Sequence, residues 1–141
     1  MLMYPKEYQE FSNLVKKYVV YHILLKVLQY DRKIGKQSSF KLARAYDELL
    51  SQVQWLIEKD LVEVKRQMKR LGGMIIREEQ KPTVRIVESK FRGFIYTHRF
   101  MNYLLQAESE QVFKSYVFPQ NERGKLTSSV NESGGFSCFE S

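Results

Sequence analysis

The chain has 141 residues, of which 23 are Lys or Arg and 16 Asp or Glu, a formal net charge of +7. That length suits one domain, and 43% hydrophobic with 13% aromatic residues is enough for a core. Three prolines and seven glycines exclude collagen-like and low-complexity classes; one cysteine excludes an internal disulfide framework and any multi-cysteine metal site.

The N-terminus, Met1 to Glu10, lacks the basic start, apolar stretch and small-residue cleavage site of a secretory signal. The most apolar run, Val19 to Leu28, contains His22 and Lys26 and is half the length that spans a bilayer. A soluble cytoplasmic protein without a membrane segment is expected.

A first helix is expected from Pro5, since proline at the first helical position sacrifices no hydrogen bond. Glu7 and Glu10 lie at the positive end of its dipole. Tyr8, Phe11, Leu14, Val15, Tyr18, His22 and Leu25 recur at three- and four-residue steps along one face. From Val19 onward Val20, Ile23, Leu24 and Val27 make the helix apolar on its other faces too. Such a helix is enclosed, either by other elements of the chain or by a second subunit. Gly35, flanked by Lys33 and Lys36, supplies an end signal.

A second helix is expected from about Ser39 to Leu71, capped by Ser38 or Ser39. Leu42, Tyr46, Leu49, Val53 and Leu56 step by four and three, and the pattern resumes one residue late as Ile57, Leu61, Val64, Met68 and Leu71. That skip forbids one uninterrupted supercoiled seam. A long helix that bends or changes partner near Glu58–Asp60 accounts for it. The other readings are an intermolecular coiled coil, or a break into two helices near Asp60. At roughly 1.5 Å per residue, a continuous helix of this span approaches 50 Å, longer than so small a domain needs, which points to self-association.

Gly72-Gly73 should end that helix. Met74–Glu79 and Thr83–Glu88 read as two strands around a Gln80-Lys81-Pro82 turn, by their β-branched content. Phe94 to Thr97 would suit a third strand, but the pattern Met101, Leu104, Leu105, Val112 and Tyr116 favours a last helix from about Phe94 to Phe118. The fold expected is therefore mainly α with a small β-hairpin: two long antiparallel helices, the hairpin and a third helix, in one domain over 1–118. Residues 119–141 are polar, rich in serine and glycine and without period, as in a disordered, flexible tail. Phe136, Cys138 and Phe139 could make a small docking motif there, although an unstructured end is the simpler reading.

All of the positive excess lies before the tail. Arg32, Lys33, Lys36, Lys41 and Arg44 surround the first interhelical connection with no acid between Arg32 and Arg44. Lys65, Arg66, Lys69 and Arg70 form a strip near the end of the second helix, which Arg77 and Arg85 could extend. Such cations attract phosphate backbones with salt-dependent affinity, yet charge runs more often solvate a helix face. A winged-helix reading would need the break near Asp60, making Leu61–Leu71 a recognition helix.

No nucleotide-binding glycine loop or paired-histidine metal motif occurs, and Cys138 lies in the tail without a rigid frame. His22 reads as a buried histidine bonded to a tyrosine or carboxylate; His98 either holds the turn between sheet and helix or contacts phosphate. The tyrosines are read as core and interface packing. No cofactor, metal or catalytic residue is assigned. The expectation is a non-enzymatic, homo-oligomeric regulatory or scaffolding protein acting on an unidentified protein partner. Its association surface would be Val20, Leu24, Val27, Leu49, Val53 and Leu56. Nucleic-acid binding through Lys65, Arg66, Lys69, Arg70, Arg77 and Arg85 is the alternative.

Overall fold

The computed structural model describes residues 5–119. The helix α1 runs from Pro5 to Lys36 and α2 from Ala43 to Leu71; a sheet of β1 (Gly73–Gln80), β2 (Val84–Phe91) and β3 (Phe94–Met101) follows, then α3 (Asn102–Val117). The two long helices, the hairpin and the last helix are as the sequence led us to expect. The tail expected from 119 onward lies, apart from Pro119, outside the described residues.

Two boundaries differ from expectation. Ser38 does not open α2: its hydroxyl donates to the Gly35 carbonyl at 2.7 Å and accepts from the Phe40 amide at 3.3 Å, so it closes the end of α1. The α2 helix starts four residues after Ser39, behind Leu42, with no side-chain cap. The segment Phe94–Met101, expected to begin the last helix, is instead a strand. It pairs antiparallel along the whole of β2, from Phe91 against Phe94 to Val84 against Met101. A two-residue turn makes this possible, with Arg92 and Gly93 at φ +52° and +89°, the positive-φ pair that matches strand twist in tight hairpins. Arg92 holds its conformation through an Nε–H donated to the Leu71 carbonyl at 3.2 Å and an ion pair with Glu7 at 3.0 Å.

The α2 helix is continuous through Asp60. Its buried residues are Val53, Ile57, Leu61, Val64 and Met68, stepping by four, four, three and four. The one-residue skip in the sequence marks where the buried line parts from the first stripe: Val53 joins Ile57 and Leu61 in the core, whereas Leu42, Tyr46, Leu49 and Leu56 are exposed. Gly72, at φ +92°, ends the helix by donating its N–H to the Lys69 and Met68 carbonyls.

The sheet, in the order β1-β2-β3, lies against the N-terminal half of α1. Its inner face carries Val87, Ser89 and Phe91 from β2, with Tyr96, His98 and Phe100 opposite on β3. Phe11 stacks on Phe91 at 4.7 Å between ring centres. α1 packs against α2, β2 and α3 together, and that explains why its sequence is apolar nearly all round.

Candidate functional site

The six residues expected to associate fall in two places. Val20, Leu24 and Val53 are in the core of the chain, exposed by only 2–4%. Val27, Leu49 and Leu56 are exposed by 44%, 42% and 36%. Helical phase explains the division. At 3.6 residues per turn, Leu49 and Leu56 share one stripe of α2, with Leu42 at its N-cap seven residues before Leu49, and the stripe is offset by roughly a fifth of a turn from the buried line through Val53 and Ile57. Val27 and Ile34 are likewise seven apart on α1, and both are exposed.

These stripes meet at the end of the antiparallel α1–α2 hairpin remote from the sheet. Asp31, Ile34, Gly35, Phe40, Tyr46, Leu49 and Leu50 line one open groove of about 360 Å³ there. The same flank of α2 is covered nearer the sheet by α3, whose Tyr116 hydroxyl donates to the Asp60 carboxylate. Burial, then those hydrogen bonds to Asp60 and Tyr21, push the Tyr116 hydroxyl well above the ordinary phenol range, so it stays protonated as a donor. Beyond the end of α3 the flank is uncovered, and Leu56, Leu49 and Leu42 continue along it. Ile34 and Phe40 were not singled out from sequence; the signal available was the seven-residue spacing of Val27 with Ile34.

Cations flank the groove's lining residues in sequence. Lys33, Lys36, Lys41 and Arg44 are exposed. Arg32 is committed within the hairpin, donating to Asp47 at 2.9 Å and to Gln54 at 3.0 Å. Its guanidinium holds the Asp47 carboxyl below the usual range.

The six cations considered for nucleic acid point in four directions. Lys65 and Lys69 share one flank of α2, with the Lys65 ammonium 5.9 Å from the Tyr18 ring. Arg66 and Arg70 occupy another flank, where Arg66 is tied to Glu63. Arg77 stands on the outer sheet face, paired with Glu88 at 3.2 Å. Arg85 points inward and is only 8% exposed. Its NH1 donates to Gln80 at 3.1 Å, and its Nε lies 3.6 Å from a Glu78 oxygen, an ion-pair distance too long for a hydrogen bond. The α2 helix has no break near Asp60, so Leu61–Leu71 is not a separate helix after a tight turn.

The inner sheet face also holds a pair that sequence reasoning missed. Ser89 Oγ and His98 Nε2 are 2.8 Å apart, the spacing of a nucleophile and its base. Ser89 is completely buried, however, so no substrate reaches its oxygen in this conformation. Burial lowers the His98 imidazole below its ordinary value, which suits a neutral ring sharing one hydrogen bond in a core. His98 thus sits mid-strand in β3 and not at the sheet–helix turn. Asn102 does that work, donating from its side chain to the Lys81 and Pro82 carbonyls. His22 is partly buried beside Tyr18, with ring centres 4.8 Å apart. Among the described residues no group of three or more His, Cys, Asp or Glu side chains could hold a metal, and no helix is long and apolar enough to cross a membrane.

The profile of the YhjD protein family matches residues 5–120. The chain is also similar to a Bacillus subtilis (strain 168) protein described as uncharacterized protein YhjD. The two are 20% identical over 114 residues, which cover 81% of this chain and 95% of the relative. No solved structure matches. The chain belongs to the YhjD family, whose matched region takes in every helix and strand described above.

Proposed function

We propose that this YhjD-family protein is a non-enzymatic interaction module that pairs with a second copy of itself, and through the pair scaffolds or regulates another macromolecule. The observation that carries the reading is the uncovered apolar face at the remote end of the α1–α2 hairpin. It presents Val27, Ile34, Leu49 and Leu56, which the described residues leave 36–47% exposed. A seven-residue repeat on both helices is the spacing by which helices pack into one another. Two such faces related by a twofold axis are complementary to each other, and their meeting would form a four-helix layer. Val20, Leu24 and Val53 then belong to the fold, and Val27, Leu49 and Leu56 to the interface.

Light-scattering mass across a concentration series tests the reading. A mass rising from 16.8 kDa toward twice that value, unaffected by salt and abolished by Leu49→Glu with Leu56→Glu, is the expected result. A mass that stays monomeric at every concentration would reject it.

A further inference from the structure

The groove at the tip of the helical hairpin has a second property besides its exposure. Apart from Asp31 and Gly35 its lining is apolar and aromatic, from Ile34, Phe40, Tyr46, Leu49 and Leu50, and the exposed cations Lys33, Lys36, Lys41 and Arg44 flank those residues in sequence. A ligand matched to it is a short segment with aromatic side chains and negative charge. The chain contains one: residues 131–141, NESGGFSCFES, have Phe136 and Phe139 three apart, Glu132 and Glu140, and no base.

Position favours the same segment. The α3 helix ends at Val117, and its last turn is fixed on α2 by the bond from Tyr116 to Asp60. From Asp60 to Leu49 is eleven residues of continuous helix, about 16 Å. Phe136 is seventeen residues beyond Pro119, and a flexible chain of that length has a root-mean-square span of about 23 Å. A linker whose typical span is close to the distance it must bridge raises the effective concentration of its end to the millimolar range. A contact too weak to detect between separate molecules is then substantially occupied within one.

We propose that residues 131–141 occupy the groove of their own chain, seating Phe136 and Phe139 against Ile34, Phe40, Tyr46 and Leu49 while Glu132 and Glu140 meet the flanking cations Lys33, Lys36, Lys41 and Arg44. This stands independently of the pairing proposed above, because the groove and the segment belong to one molecule. It has a consequence for that pairing, since the docked segment covers Ile34 and Leu49.

The test uses the full chain with a nitroxide attached to Cys138, its one cysteine. The protein is isotope-labelled, and its amide signals are compared before and after reduction of the nitroxide. The expected result is attenuation concentrated in residues 31–50. It should vanish in the Phe136→Ser, Phe139→Ser variant and shrink in Lys41→Glu, Arg44→Glu. Because the label sits between the two phenylalanines, amide shifts of the unlabelled full chain are also compared with those of the unlabelled double-serine variant. Differences confined to the same residues support docking. Attenuation that persists undiminished when isotope-labelled copies without nitroxide are mixed with nitroxide-bearing copies without isotope would overturn docking within one chain and assign the segment to a second copy. Attenuation centred elsewhere, or no localised effect in either experiment, would overturn the proposal outright.

Discussion

Leu49 and Val53 are one helical turn apart on α2, and charging them should have opposite consequences. Fully burying a leucine stabilises by about 1.5–3 kcal/mol. Leu49 and Leu56 retain 42% and 36% of their exposure, so covering both yields about 1–2 kcal/mol per copy. A twofold interface counts that contribution twice, for about 2–5 kcal/mol, or roughly two to three orders of magnitude in the dissociation constant. Leu49→Glu with Leu56→Glu should lose at least that much, since the carboxylates would also face each other across the axis. The monomer should melt within a few degrees of the parent, because neither side chain belongs to the buried line. Val53, at 2% exposure, lies on that line. A carboxylate there is taken out of water without a partner, at a cost of several kcal/mol against a total stability of about 5–15 kcal/mol. Val53→Glu should therefore unfold much of the protein. Sedimentation equilibrium gives the association constant and circular dichroism the melting curve. If the Leu49/Leu56 variant associates as tightly as the parent, or melts as Val53→Glu does, the assignment of these stripes is wrong.

Four further outcomes are expected. A Cβ on Gly73 would stand 2.1 Å from Phe11 Cε1, and Phe11 is held by its stack on Phe91. Gly73→Ala should thus cost about 3 kcal/mol, or roughly 10 °C in melting temperature, and Phe11→Leu in the same chain should restore part of it. Burial lowers the His98 imidazole, and burial with Lys65, Lys26 and Arg85 nearby lowers His22, against an opposing effect from Glu78. A histidine whose folded value is depressed stabilises fully above its unfolded value of about 6.5, and that stability is lost as pH falls from there toward the folded value. Melting temperature should decline on acidification below neutrality, less steeply in His98→Gln; an identical slope would show that His98 does not contribute. Removing Glu78 alone should cost about 3 kcal/mol by leaving the buried Arg85 guanidinium without its counter-charge and with only the neutral Gln80 to accept from it, whereas Glu78→Met with Arg85→Met should recover most of it in denaturant titrations. Lastly, Phe136→Ser with Phe139→Ser should tighten self-association by uncovering Ile34 and Leu49; an unchanged association constant would separate the two surfaces.

The parts of the fold legible in the sequence are those fixed by local chemistry. Pro5 opens α1, Gly72 closes α2 in a left-handed cap, and β-branched runs make β1 and β2. The third strand was harder to read because its local signals conflict. Phe94 to Thr97 favour a strand, yet the helical spacing from Met101 onward extends back over them, and an Arg-Gly turn lacks the Asn or Asp that usually announces a two-residue hairpin. Tertiary pairing with β2 decides in favour of the strand. The Ser89–His98 pair was invisible for a related reason: their neighbourhood is set by strand register, Ser89 against Tyr96 and Val87 against His98, which no sequence spacing encodes.

The residues of the proposed association surface show how one apolar pattern can be divided between a core and an exposed flank. On α1 the all-round apolar run admitted two readings, enclosure by the chain itself or by a second subunit, and nothing local separates them. The first applies near the sheet, and the pairing proposed above is the second, further along the helix. Where the sheet and α3 reach, Val20 and Leu24 are enclosed by their own chain; beyond the end of α3, Val27 and Ile34 carry the same pattern past the last element able to cover it. The one-residue skip on α2 records the same division, with Val53 joining the buried line and Leu49 and Leu56 left on the open flank. What settles the division is the length of α3. Its sixteen residues, at about 1.5 Å each, cover roughly 24 Å, about half the length of the 32-residue α1. The exposed leucines are therefore a consequence of a long hairpin packed by a short third helix, and they are the part of the core pattern for which the described chain supplies no second side.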